Sequence, residues 1–251
     1  NLYAVLEELN NMVLKVVTTF VIPLLPIYIF GTFLNLGMNE NFGDTMAAMG
    51  VVLVLSIVMT LVIVLLQYLL AGAVAGVNPF TALKNMLPAY FTALGTSSSA
   101  ATIPVTYEST LKNKVEEEVA GFVVPLCATI HLSGSMMKIT LYALSIVYMA
   151  SLDVTGGQII GFILLLGIMM IAAPGVPGGA IMAAVGLLQS NLGFDESMVS
   201  LMIASYIVVD SFGTAANVTG DGAIALIVNK LAGGKIKGQQ LEDAPSAEPV
   251  R

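Results

Sequence analysis

The sequence predicts an all-α membrane protein that contains two re-entrant helical hairpins and broken transmembrane helices. Three observations support this fold class. The residues are 57% hydrophobic and only 10% charged, and the mean hydropathy is +0.92, which is typical of multi-spanning membrane proteins. Several apolar segments are long enough to cross a bilayer. Prolines, glycines and small hydroxyl residues interrupt some of these segments, and a regular helix does not continue through such residues.

The composition excludes several classes of protein. With one cysteine (Cys127) and one histidine (His131), the chain has neither a disulfide framework nor a Cys/His metal cluster. The net charge of −7 gives no indication of a nucleic-acid partner. We expect no cofactor beyond a coupling ion. The chain begins at Asn1 rather than with methionine, so we also expect a further N-terminal part.

Residues 1–77 are predicted to form two transmembrane helices. The first apolar run, at about residues 12–36, carries Pro23 and Pro26, which should kink it. The second, at about residues 46–77, has almost no polar side chain apart from Gln67. We therefore interpret it as a helix that packs or faces lipid.

Residues 78–232 are predicted to form a core with three interrupted segments. Two short apolar halves flank the hydroxyl-rich stretch 96–106, which indicates a re-entrant hairpin; one tilted span with a serine-rich packing face is the alternative. The next span, about 115–150, should be unwound at 129–135. Residues 174–179 hold two prolines and three glycines and should form the tip of a second hairpin. Paired interruptions of this kind are typical of transporter binding sites.

The last apolar helix of this core carries two pairs of polar residues. Asp210 and Thr214 are four residues apart, as are Asn217 and Asp221, so each pair points the same way on a helix. Asp210 and Asp221 are about three turns apart, which keeps both near one face. Polar groups in a membrane helix usually mark an ion or substrate path.

The basic residues predict the orientation. With both hairpins counted as re-entrant, one side of the membrane carries all the loop cations: Lys15, Lys84, Lys112, Lys114, Lys230, Lys235, Lys237 and Arg251. The opposite loops carry only acids: Glu40, Asp44, Asp153, Asp195 and Glu196. The positive-inside rule then places the C-terminus in the cytoplasm. Residues 233–251 are expected to be a disordered cytoplasmic tail.

Five motifs resemble, in order, those of the dicarboxylate/amino acid:cation symporter family, which includes the archaeal aspartate and mammalian glutamate transporters. They are Ser-Ser-Ser at 97–99, Thr-Ile-Pro-Val-Thr at 102–106, Pro-Leu-Cys-Ala-Thr-Ile at 125–130, Gly-Val-Pro-Gly at 175–178, and Asn-Val-Thr-Gly-Asp at 217–221. The resemblance implies a glutamate-transporter-like core, an elevator mechanism and a homotrimer. It also implies symport of an amino acid or dicarboxylate with a cation at the inner (plasma) membrane, and no enzymatic activity.

The resemblance also implies a set of site residues. The positions that match substrate contacts in the family are Ser98, Ser99, Val176, Gly178, Asp210, Thr214 and Asn217. The positions that match sodium ligands, by side chain or backbone, are Cys127, Thr129, Asn217 and Asp221.

The chain departs from the family at several of these positions. Gly213 stands where transporters of acidic amino acids have an arginine, and His131 and Ser133 replace an asparagine and an aspartate used for sodium. His131 and Lys138 are therefore candidates for proton or charge coupling, and packing of the imidazole is the alternative for His131. The alternatives for Lys138 are snorkelling to the outer surface, an internal cation paired with Asp210 or Asp221, and a replacement anchor for a substrate carboxylate. A buried lysine repels sodium, so we expect fewer sodium ions than in archaeal relatives, or proton coupling.

Four functions are compatible with these residues. The first is a secondary active transporter (symporter) driven by Na⁺, H⁺ or both, and the second is a proton-coupled carrier of a neutral amino acid or carboxylate. The third is an intramembrane hydrolase that uses residues 97–99 with His131 and Asp210. The fourth is a passive channel, which would not need two gates. The order of the motifs favours the symporter.

Overall fold

The computed structural model describes residues 22–38 and 42–232, together with isolated positions between residues 5 and 20. The elements of this part are all helical. In chain order they are α1 (Ile22–Gly37), α2 (Phe42–Ala75), α3 (Pro79–Asn85), α4 (Leu87–Thr96), α5 (Ser99–Leu111), α6 (Glu117–Ile130), α7 (Ser133–Met149), α8 (Gly156–Ile171), α9 (Gly179–Leu192) and α10 (Glu196–Ala232). The predicted all-α architecture is confirmed for these residues. The tail at 233–251 and Glu40 lie outside them.

Three helical segments among the described residues are long and apolar enough to cross a membrane: Phe42–Ala75, Glu117–Met149 and Glu196–Ala232. The second of these comprises α6 and α7. Large apolar side chains remain exposed along α2, including Val51 and Leu66. An exposed apolar surface of this size suits lipid rather than water.

Helix α2 is continuous and buries one face. Its buried residues recur every three or four positions, the spacing that places side chains on one side of a helix; they are Met49, Val52, Ser56, Thr60, Val64, Tyr68 and Ala71. This face packs against α7 and α10. In α1, Pro26 lies inside a helix that continues to Gly37.

Helices α4 and α5 form an antiparallel pair with its turn at Ser97 and Ser98. Ser97 has a left-handed backbone (φ 50°) and ends α4, whereas Ser98 caps α5 by accepting a hydrogen bond from the amide of Ala101. At the opposite end, Asn85 Nδ2 donates to Asn113 Oδ1 at 2.8 Å. The predicted turn is confirmed; that the pair re-enters the membrane stays a prediction.

The other two interruptions also lie where the sequence predicts them. Helix α6 ends at Ile130 and α7 begins at Ser133, with His131 in a non-helical conformation (φ −101°, ψ 89°). Helices α8 and α9 pack against each other and are joined by residues 172–178. The joining segment ends at Gly178, whose φ of 73° favours glycine. Re-entry of this second pair into the membrane also stays a prediction.

Helix α10 is the centre of the described fold. It packs against α2, α4, α5, α6 and α7, with further contacts to α1 and α9. One apolar cluster lies on the side of α8 and α9 and includes Phe162 and Ile181. Another lies on the side of α4 and α6 and includes Met86 and Val123. Because protein surrounds the middle of α10, the polar side chains from Asp210 to Asp221 that face inward are removed from both lipid and water.

Candidate functional site

The polar side chains of α10 form a buried column. Asp210, Thr214, Asn217 and Asp221 are 6%, 5%, 2% and 1% exposed, respectively. Buried carboxylates are costly unless hydrogen bonds or opposite charges compensate them. The partners of these side chains come from the break between α6 and α7, from the first turn of α7, and from the segment between α8 and α9.

The break between α6 and α7 contributes His131 to the Asp221 end of the column. Nδ1 of His131 lies 2.8 Å from Oδ1 of Asp221, and Nε2 lies 3.2 Å from Nε2 of Gln67 on α2. Gln67 Nε2 also donates to Ser133 Oγ at 3.0 Å. With the Gln67 amide in this orientation, Nε2 of the imidazole accepts its hydrogen bond and Nδ1 donates to the carboxylate.

Asn217 ties the start of α7 to α10. Its Oδ1 accepts from the amides of Gly134 at 2.8 Å and Ser135 at 3.4 Å, and its Nδ2 donates to Ser135 Oγ at 3.0 Å. The first amides of a helix lack partners within the helix, and the N-cap residue Leu132 has no side-chain acceptor to offer them. Asn217, which lies on the neighbouring helix α10, therefore caps α7. Its side-chain oxygen is occupied by the two amides at the start of α7.

Gly134 is required for this approach of α7 to α10. A β-carbon at residue 134 would lie 2.7 Å from the carbonyl oxygen of Gly213 and 2.8 Å from Cβ of Ala216. Both distances are shorter than van der Waals contact, so a side chain there would push the two helices apart.

The Asp210 end of the column is engaged by Gly178 and Lys138. The amide of Gly178 donates to Oδ2 of Asp210 at 2.7 Å. Lys138 Nζ donates to the carbonyl of Val209 at 2.7 Å and to that of Asp210 at 3.2 Å. Lys138 is 0% exposed. The alternative that Lys138 snorkels to the outer surface is therefore wrong, because its side chain turns inward to α10.

The turn between α4 and α5 meets the segment between α8 and α9. Ser98 Oγ donates to the carbonyl of Gly175 at 2.9 Å, and the amide of Ala100 reaches the same oxygen at 3.5 Å. A β-carbon at Gly175 would lie 3.0 Å from the carbonyl oxygen of Ala128 near the end of α6. The two turns and the end of α6 are therefore in contact with one another.

The remaining predicted site residues form mainly local contacts. Ser99 is buried at the first position of α5. The Val176 carbonyl accepts from the amide of Gly179 within its own turn. The Cys127 carbonyl accepts from the amide of His131 at 2.8 Å. Thr129 is exposed, and its hydroxyl donates to the carbonyl of Leu126. The role of the Thr129 backbone as an ion ligand stays a prediction.

Sequence reasoning missed three contributors to the site. We interpreted α2 as a packing or lipid-facing helix, but Gln67 contacts His131, and the neighbouring Tyr68 donates to the carbonyl of Thr219 at 2.9 Å. Tyr206 places its ring 4.5 Å from Lys138 Nζ. The isolated glutamine in an apolar helix was the one available signal.

The hydrolase hypothesis finds no support in the described residues. A serine nucleophile needs a hydrogen bond to the histidine that activates it. The Ser98 hydroxyl instead donates to a backbone carbonyl, and the imidazole of His131 engages Asp221 and Gln67.

The arrangement as a whole is typical of the binding centre of a membrane transporter. Interrupted helices and turns converge on buried carboxylates in a protein with several membrane-crossing segments, which is how such centres are built. Residues 1–231 match the family described as the sodium:dicarboxylate symporter family. The chain therefore belongs to this family, and it is a multi-pass membrane protein with the predicted glutamate-transporter-like fold class.

Several curated proteins are similar to the chain. Excitatory amino acid transporter 1 of Rattus norvegicus is 31% identical over 241 residues, which cover 94% of this chain and 44% of that protein. Excitatory amino acid transporter 3 of Oryctolagus cuniculus is 36% identical over 156 residues, covering 62% and 30%. The chain thus spans less than half the length of these relatives.

Proposed function

We propose that the protein is a secondary active transporter, a symporter that couples uptake of a small amino acid or dicarboxylate to a sodium gradient. The observation that carries this proposal is the buried column on α10, which ends in two carboxylates beside an interrupted helix and two helical turns. The family description and the names of the relatives support sodium and an amino acid or dicarboxylate as the transported species. Nothing in this proposal requires enzymatic chemistry.

The substrate binds at the Asp210 end. The carboxylate of Asp210 binds the substrate ammonium in exchange for the Gly178 amide, which donates to it in the structure. Thr214 and Asn217 extend the site along α10, and Ser98 and Ser99 offer hydroxyls and amides at the tip of α5 to a substrate carboxylate. The backbone of residues 176–178 closes over the bound substrate. Substrate binding thereby breaks the hydrogen bond between Gly178 and Asp210, and the turn of residues 176–178 re-forms around the ligand.

The coupling ion binds at the Asp221 end. A carboxylate and backbone carbonyls at a helix break are suitable ligands for Na⁺, and this end offers Asp221 with the carbonyl of Cys127, while the backbone of Thr129 is the candidate ligand of a second ion. The side chain of Asn217 already caps α7, so it contributes mainly by holding the break in place. His131 shares the Asp221 carboxylate with the ion.

The transport core moves as one body in an elevator mechanism. Helix α2 packs along α10, so we propose that it moves with residues 78–232, whereas other N-terminal helices of residues 1–77 belong to the scaffold. The protein works as a homotrimer in the plasma membrane, with residues 233–251 as a cytoplasmic tail. The one-sided distribution of lysines supports this orientation.

Uptake by the protein in proteoliposomes tests this proposal. Labelled serine, alanine, cystine, aspartate and succinate are offered under an imposed sodium gradient and then under an imposed proton gradient. We expect sodium-driven accumulation of at least one of them. Asp221→Asn should abolish the sodium dependence, whereas Asp153→Asn, in an exposed loop, should leave it unchanged.

Other outcomes would contradict the proposal in different ways. Accumulation under the proton gradient alone would assign ion coupling to the His131–Asp221 pair and reject sodium. Equilibration of a substrate without accumulation under either gradient would favour a passive channel.

A further inference from the structure

Lys138 is the one fully buried lysine among the described residues, and its ammonium contacts α10. Two of its three N–H donors go to the carbonyls of Val209 and Asp210, at 2.7 and 3.2 Å. The ring of Tyr206 lies 4.5 Å from Nζ, within cation–π range. In the described part of the chain, no carboxylate forms a direct ion pair with it. The ammonium is therefore held mainly by the backbone and an aromatic ring of α10.

The position of this ammonium depends on Gly213. A β-carbon at residue 213 would overlap Cε and Nζ of Lys138. Gly213 has an ordinary helical backbone, so its backbone conformation does not require glycine. The requirement comes from the space that Lys138 occupies. Residues 138 and 213 are therefore a matched pair, because a cation that enters from α7 excludes any side chain from α10 at this point.

The charge of Lys138 acts on the carboxylate of Asp210 without contacting it directly. The carboxylate of Asp210 accepts from Gly178, while Lys138 binds the backbone carbonyl of the same residue. The ammonium thus offsets a buried negative charge from within the protein. A ligand that needed this cation for itself would have to remove it from two carbonyls and an aromatic ring.

The geometry points to Lys138 as a specificity-determining residue that acts through Asp210: it serves as a fixed internal cation, and the site therefore accepts amino acids with an uncharged side chain. This inference rests on the proposed function and narrows its substrate class. A substrate with one ammonium and one carboxylate is served by Asp210 and by the tip of α5. A second carboxylate on the substrate would meet no free cation among the described residues at the Asp210 end.

The matched pair is tested first by a double-mutant cycle in detergent-solubilised protein. The variants are Gly213→Ala, Lys138→Ala and the combination of both, and the measurement is the melting temperature. We expect Gly213→Ala to lower the melting temperature in the wild-type background and to leave it unchanged or slightly raised beside Lys138→Ala, because truncation of the lysine frees the space. Additive effects would overturn the pairing.

The specificity role is tested by uptake competition in proteoliposomes. We expect wild-type protein to accumulate labelled serine or alanine, and aspartate and succinate to compete at least tenfold more weakly than the unlabelled neutral amino acid. In the Lys138→Ala/Gly213→Arg variant, an arginine on α10 carries the positive charge, and its side chain can reach a ligand. Aspartate should then compete at least tenfold better than in wild type.

A length-matched variant distinguishes this role from a structural one. Lys138→Met keeps the volume and removes the charge, so we expect weaker binding of the neutral substrate, seen as a raised KM, with little change in melting temperature. If wild type accumulates aspartate or succinate and Lys138→Met loses that uptake while keeping serine, Lys138 is a substrate anchor and the inference is overturned. If wild type accumulates nothing, the proposed function fails, and the melting cycle still decides whether the pair is matched.

Discussion

Replacement of Gly220 by alanine would disturb the Asp221 end of the site without removing any of its polar groups. Gly220 lies inside α10, and a β-carbon there would meet Cε1 of His131 at 2.5 Å and Oε1 of Gln67 at 2.6 Å. Carbon atoms in favourable contact are about 3.5–4.0 Å apart. The imidazole and the amide must therefore both move by about 1 Å, which draws His131 away from Asp221.

The expected loss of stability follows from three contributions. Overpacking in a core costs about 1–3 kcal/mol, and loss of a hydrogen bond to a charged group costs about 1.5–3 kcal/mol. Alanine is preferred to glycine in a helix by about 1 kcal/mol. The net destabilisation is about 1.5–5 kcal/mol. For a chain of this size that corresponds to a fall in melting temperature of roughly 3–20 °C.

The single cysteine provides the assay. Cys127 is the only cysteine of the chain and is buried, so a thiol-reactive fluorogenic dye reports unfolding as this thiol becomes accessible. Gly186→Ala is the matched control, because Gly186 lies within α9 with no heavy atom within 4 Å of a β-carbon. We expect the control to melt at the wild-type temperature or slightly above it. Equal melting temperatures for Gly220→Ala and Gly186→Ala would refute the reasoning.

Three further substitutions remove side-chain hydrogen bonds. Gln67→Leu removes the partner of the His131 ring and of Ser133, and we expect at least a tenfold higher sodium concentration for half-maximal uptake; an unchanged sodium dependence would contradict this. Ser98→Ala removes both the bond to the Gly175 carbonyl and the cap of α5, about 1 kcal/mol each, and should speed proteolysis or labelling at the two turns. Tyr68→Phe removes a buried hydroxyl from α2 and should lower the melting temperature by a few degrees, with no change in substrate selectivity.

Interruptions of helices were the feature that sequence reasoning predicted best. Two prolines and three glycines lie together within residues 174–179 and disfavour a regular helix, and the short polar stretch around His131 does not suit an apolar one. These signals are local, so they do not depend on knowing which helices are neighbours. The inward face of α10 was likewise predictable, because residues four apart lie on one side of any helix.

The partners of these residues depend on tertiary packing, which no local pattern encodes. Gln67 lies in the middle of an apolar helix, and only the docking of α2 beside the helix break gives it a role. Asn217 was predicted as a ligand, yet its oxygen caps α7, because Leu132 leaves those amides without a partner. Lys138 and Gly213 are 75 residues apart, and their contact exists only in the folded chain.

That last contact restricts the routes by which the sequence can evolve. While Lys138 fills the space beside Gly213, any side chain introduced at residue 213 is obstructed. The lysine must therefore be shortened or redirected first. A lineage that exchanges Lys138 for a cationic side chain at residue 213 has to pass through an intermediate that carries neither cation. In that intermediate Asp210 loses its internal counter-charge. The geometry therefore fixes the order of the two substitutions: residue 138 changes first, and residue 213 follows.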